Sequence, residues 1–109
     1  MRLYALLALL LLLGHAAWAQ SRATVSGYVK DAASGEALIG ATVLVKETGG
    51  GASCNEYGFY SLSLPQGAYT LVFDFVGYQK QSRQIDLRQN LTLNVELPDA
   101  SVTTETVVI

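Results

Sequence analysis

Nine carboxylates, one cysteine and one histidine are the groups of this chain that could move protons, attack a carbonyl or hold a metal. Their spacing favours none of these. Asp31, Glu36, Glu47, Glu56, Asp74, Asp86, Glu96 and Asp99 are scattered through turn-like and strand-like stretches, where most belong to solvated faces. A calcium site at the Asp31 or Glu56 turn is the metal chemistry they leave open. Asp74 lies between Phe73 and Phe75, but on the face opposite those rings, and is expected at the surface. Zinc hydrolysis needs His, Cys or carboxylate ligands, and a Ser or Cys nucleophile needs a base. His15 falls in the leader described below, so neither chemistry is equipped, and no cofactor, metal or enzyme activity is expected.

Cys54 has no partner for an internal disulfide. In an exported protein a lone thiol could react or pair between chains; a small buried or half-buried loop residue is the commoner outcome. Gly49-Gly50-Gly51 could suggest a phosphate cradle, but that motif requires a following Lys and Ser/Thr at the start of a helix. Ala52-Ser53-Cys54-Asn55 follows instead, and the stretch 48–53 reads as a hairpin loop.

The two ends carry more information. Arg2, the apolar run from Ala5 to Leu13, and Ala17-Trp18-Ala19 form the charged, apolar and small-residue regions of a secretory signal, cleaved between Ala19 and Gln20. The apolar run is shorter than the roughly 20 residues that span a bilayer. Because Gln20 rather than a cysteine would follow the cut, no lipid anchor is expected. Removal of residues 1–19 would leave 90 residues with six basic and nine acidic side chains, a net charge of about −3. Such a balance, without a basic cluster, argues against nucleic acid and against an anionic membrane surface. At the other end, Glu105-Thr106-Val107-Val108-Ile109 is a β-prone apolar pentad beyond the small polar residues 99–104. It suits strand addition to a partner's sheet edge; a last strand of the same domain, or simply the end of a fragment, fits the residues equally.

Between these ends the chain alternates with period two, the signature of half-buried strands. The central stretch, Gly58 to Tyr78, reads as a β-hairpin. Tyr60, Leu62 and Leu64 share a face on one arm, Tyr69, Leu71, Phe73 and Phe75 on the other, and Pro65-Gln66-Gly67 makes the turn. Residues 24–30 and 40–46 give two earlier strands, with Ala41 small enough for close approach of another layer. The polar tract 78–87 reads as an edge strand, and Leu91, Leu93, Val95 and Leu97 form the inward face of a last one, ended by Pro98. The sequon Asn90-Leu91-Thr92 is read as coincidental. The expectation is an all-β, seven-stranded, Greek-key-type sandwich over residues 20–98, after a leader at 1–19 and before a tail at 99–109.

Five stretches, in order, resemble the carboxypeptidase-regulatory-like domain: residues 25–31, 34–43, 56–62, 65–71 and 75–79, with Gly40-Ala41-Thr42-Val43 and Val76-Gly77-Tyr78 the most specific. This is the transthyretin-like (prealbumin-like) sandwich that begins many TonB-dependent outer-membrane receptors of the Bacteroidetes, including SusC-like importers. The departures are Cys54-Asn55, where Thr-Asp is usual, and Thr106, where a second acidic residue is common. The resemblance implies a non-catalytic domain on the periplasmic side of the outer membrane. It implies a plug and barrel following in the same receptor, a SusD-like lipoprotein as a further partner, and Glu105, Thr106, Val107, Val108 and Ile109 as a TonB box that pairs with TonB. Zinc carboxypeptidases carry this sandwich beside a separate catalytic domain, which is absent here. The alternative is a free-standing exported module that binds carbohydrate or an envelope protein through Tyr28, Tyr57 and Phe59.

Overall fold

The computed structural model describes residues 2–15 and 21–101. A helix, α1, spans Arg2–His15. No helix among the described residues is long and apolar enough to cross a membrane. Eight strand segments follow: β1 Arg22–Asp31, β2 Thr42–Val45, β3 Gly51–Ser53, β4 Phe59–Pro65, β5 Gly67–Asp74, β6 Gln81–Leu87, β7 Leu91–Thr92 and β8 Val95–Leu97. They form two four-stranded sheets. In the first, β4 pairs with β1, and β1 pairs on its other side with β7 and β8; the second has the order β3-β2-β5-β6.

The alternating residues face each other across the gap between the sheets, as in a sandwich. Val25, Val29, Tyr60, Val95 and Leu97 come from one sheet, and Val43, Val45, Leu71, Phe73 and Leu87 from the other, each 2% exposed or less. Tyr60 and Phe73 meet edge to face across the core, with ring centroids 5.4 Å apart. Ala41 is fully buried just before β2. Among the described residues, every buried residue of the core lies between Ala23 and Leu97.

The structure corrects three expectations. The central stretch is not a hairpin: β4 pairs with β1, whereas β5 pairs with β2 and β6. Pro65-Gln66-Gly67 carries the chain from one sheet to the other. The Gln66 N–H donates to the Ser21 carbonyl at 2.9 Å, which keeps the end of β4 on the β1 side. The Tyr69 hydroxyl closes the corner on the Pro65 carbonyl at 2.6 Å. Alternation identifies the buried face of a strand but not its neighbour, and two facing layers cover these rings where one layer would leave them open.

Second, only the first part of 48–53 is loop. Gly51–Ser53 form β3, antiparallel to β2. A Cβ on Gly51 would lie 2.2 Å from the Val43 carbonyl oxygen, so glycine permits this approach.

Third, the run 91–97 is broken in two, and both pieces run parallel to β1. The register is unchanged across the break, because Val25 opposes Leu91 and Val29 opposes Val95. Between them the Leu93 carbonyl lies over Gly27, where a Cβ would be 2.0 Å from the oxygen. The Asn94 amide oxygen takes the place of a backbone acceptor, receiving the Tyr28 N–H at 2.9 Å. Asn90 does the same for the Thr24 N–H at 3.0 Å. Val95 and Leu97 are buried, while Leu91 and Leu93 are half-buried against the core. The polar tract does provide an edge strand, β6.

Candidate partner-binding site

Ala17, Ala19 and Gln20 of the expected cleavage site, and Glu105, Thr106, Val107, Val108 and Ile109 of the expected strand-adding tail, lie outside the described residues. What the structure does show is how the chain leaves the sandwich, as far as Ser101. β1 ends at Asp31, whose carboxylate organises the following turn: Oδ1 accepts the Ala33 and Ser34 N–H groups at 2.7 and 3.0 Å. The other oxygen accepts the Tyr78 hydroxyl at 2.6 Å. These bonds, the Tyr78 hydroxyl foremost, hold the Asp31 carboxyl below the usual carboxylate range. The same bond, which favours neutral phenol beside the carboxylate, pushes Tyr78 up to about 12.

Tyr78 in turn binds the departing chain. It follows Gly77, whose φ of 86° suits a residue without Cβ, and its ring packs against Phe75 at 5.6 Å. Its backbone bridges to Asp99. On either side the Gln79 N–H donates to Pro98 and the Ala100 N–H to Gly77, both at 2.9 Å. Asp99 then turns the chain back two residues on, its Oδ1 accepting the Ser101 N–H and hydroxyl at 2.8 Å each, which lowers its own carboxyl. The last described residues are thus tied to the ends of β1 and β5.

The neighbouring turn, Asn55–Gly58, is built by Asn55. Its amide oxygen accepts the Tyr57 and Phe59 N–H groups at 2.9 and 3.1 Å, the acceptor role an aspartate would also fill. Glu56 and Tyr57 are left exposed at its tip. Among the described residues no three His, Cys, Asp or Glu side chains gather where they could hold a metal ion. The Asp31 carboxylate is instead occupied by its own turn and Tyr78. Cys54 is buried in the core, and burial pushes its thiol up to about 11, far from a reactive thiolate at neutral pH. Asp74 is half-buried on the outer side of β5, away from the fully buried Phe73.

Of the three aromatics singled out for ligand contact, the structure brings together two. Tyr28 and Phe59 are register partners on the outer face of the first sheet, with centroids 5.2 Å apart and the Lys30 ammonium 5.6 Å from the Tyr28 ring. Tyr57 stands in its turn, 65% exposed. Sequence reading did not find the anchoring roles of Asn90, Asn94 and the Tyr78 hydroxyl. Their partners lie 66, 66 and 47 positions away, so no local pattern carries the signal.

The chain has relatives of known sequence and structure. It is 40% identical over 86 residues to the TonB-dependent receptor SusC of Bacteroides thetaiotaomicron, a stretch that is 79% of this chain and 8% of that receptor. The chain therefore spans less than a tenth of the curated relative it matches. Among solved structures it resembles a membrane-associated protein from Bacteroides fragilis (TM-score 0.59, 23% identity, 78% of this chain and 30% of that one). It also resembles a DUF3823 family protein from Parabacteroides merdae (TM-score 0.57, 18% identity, 74% and 48%). At these identities the two structures speak to the fold alone. The CarboxypepD_reg-like domain family matches residues 25–109, from the first buried valine of β1 onward, and the chain belongs to that family.

Proposed function

We propose that this chain is the non-catalytic, periplasm-facing N-terminal domain of a TonB-dependent outer-membrane receptor for nutrient uptake. The observation that carries the reading is the 40% identity to the SusC receptor over nearly the whole sandwich. In this reading α1 belongs to a secretory leader cleaved between Ala19 and Gln20, the sandwich occupies residues 20–98, and residues 99–109 are a tail. Glu105, Thr106, Val107, Val108 and Ile109 form the TonB box, which pairs with TonB as an added strand. The clasp around Tyr78 supports the reading, because it delivers the tail from one fixed point on the domain. A plug and barrel would follow in the same polypeptide, and a SusD-like lipoprotein would complete the importer.

Two measurements test the proposal. Reading the coding frame past Ile109 should reveal a plug and then a barrel's alternating strands; a stop codon there would overturn it. In the full receptor, deletion of residues 105–109 should abolish uptake while surface expression persists, and unchanged uptake would reject the box.

A further inference from the structure

The two ends of the sandwich differ. One end gathers the loop after β1, the Asn55–Gly58 turn, the turn after β5 and the departing chain. Its continuity is shown by the Gly40 N–H on the Cys54 carbonyl, the approach of Gly58 to Ala37 and the Tyr78–Asp31 bond. The three most exposed large apolar side chains of the sandwich are all here: Val76 at 92%, Tyr57 at 65% and Ile39 at 60%. Each sits at the tip of a different loop of this end. Six carboxylates belong to the segments that meet at this end, those of Asp31, Glu36, Glu56, Asp74, Glu96 and Asp99, against the two ammonium groups of Lys30 and Lys80. The opposite end, with Arg22, Lys46 and Arg88 against Glu47 and Asp86, is weakly basic. Apolar tips within a charged rim are the anatomy of a protein interface.

The position of the tail says what meets this end. Four residue steps separate Ser101 from Glu105, at most about 14 Å however they are arranged. A folded partner that takes up residues 105–109 as an added strand would therefore begin within about 14 Å of Ser101, at the exit end.

We propose that this end is a second contact for the partner that pairs with the tail: it receives an apolar patch with a basic rim beside that partner's strand-accepting edge. The inference rests on the tail being a TonB box, and it adds a bivalent mode of attachment. The tail alone would bind weakly, and the sandwich would raise the effective concentration of the second contact. The acidic rim would make the added affinity salt-sensitive.

The test measures binding of the periplasmic domain of TonB from the same organism to three ligands: a peptide of residues 102–109, the chain 20–109, and that chain carrying Ile39→Ser, Tyr57→Ser and Val76→Ser. The chain should bind at least tenfold more tightly than the peptide, with the difference shrinking as salt rises, and the triple variant should fall to the peptide's value. The replaced side chains are exposed, so its melting temperature should be unchanged. A Glu36→Gln, Glu56→Gln variant provides a second, purely electrostatic reading: its salt dependence should be weaker than the parent's, and an unchanged dependence would reject the acidic rim as the contact. Equal affinity of chain and peptide would overturn the proposal while leaving the box intact. Binding of the chain without the peptide, lost in the triple variant, would support the surface and reject the box. Absence of binding by either would overturn both.

Discussion

Replacing Gly27 with Ala should be among the most damaging single-methyl additions to this fold. Gly27 is in the middle of β1, and a Cβ there would stand 2.0 Å from the Leu93 carbonyl oxygen, 2.5 Å from its carbon and 2.9 Å from the Asn94 amide oxygen. Two of these atoms are backbone, so rotation of a side chain cannot relieve the contact. The segment 93–94 must move away from β1, and three hydrogen bonds go with it: Leu93 N–H to Ser26 at 2.8 Å, Tyr28 N–H to Asn94 at 2.9 Å and Tyr60 hydroxyl to Leu93 at 2.6 Å. At about 0.5–1.5 kcal/mol each, plus partial exposure of Val95 and Leu97, the loss is about 3–5 kcal/mol. A domain of this size has a total stability of roughly 5 kcal/mol, and about 4–8 °C of melting temperature accompanies each kcal/mol. Thermal unfolding of residues 20–109 should therefore shift down by about 15 °C or more, or show no folded baseline at all. Gly50→Ala is the control. Its nearest neighbour would be the Thr48 hydroxyl at 3.5 Å, and its φ is not positive, so stability should hold or rise slightly. A Gly27→Ala domain that melts within about 5 °C of the parent would refute the argument that β7 and β8 close on β1 through this glycine.

Two further predictions concern titratable groups. Asp31 and Asp99 are held below their ordinary carboxyl value of 3.8 in the folded chain. Their contribution is therefore present above that value and lost as pH falls through the lower folded values. The urea midpoint should drop as pH is taken below 4, and Tyr78→Phe, which removes the largest cause at Asp31, should flatten that drop; an unchanged slope would show that Tyr78 does not hold Asp31 in solution. Cys54, raised to about 11 by burial, should resist a thiol reagent at about pH 8 in the native chain and react fully once the chain is unfolded. Labelling of the native chain at the rate of a free thiol would refute its burial.

Much of the sandwich is legible along the chain because strand period and side-chain polarity are local properties. The inward positions of β1, β2, β4 and β5 follow from alternation, and the edge placement of β6 follows from its Gln, Ser, Arg and Asp side chains. The candidate site is less legible. Val76-Gly77-Tyr78 carries the family resemblance, but nothing near Tyr78 in the chain shows that its hydroxyl closes on Asp31. Nor does any local pattern show that Ile39, Tyr57 and Val76, on three loops, come to one end.

The sequence by itself determined a β-sandwich with alternating core residues and turns at Gly and Pro. Tertiary structure alone decided which strands are neighbours. It separated β4 from β5 into different sheets, split 91–97 over Gly27, and placed the departing chain at the acidic, apolar-tipped end. The physical reason is that alternation specifies only the face a strand buries. Pairing is settled when the backbone groups of segments distant in sequence find partners, and when Tyr60 and Phe73 find cover across the core.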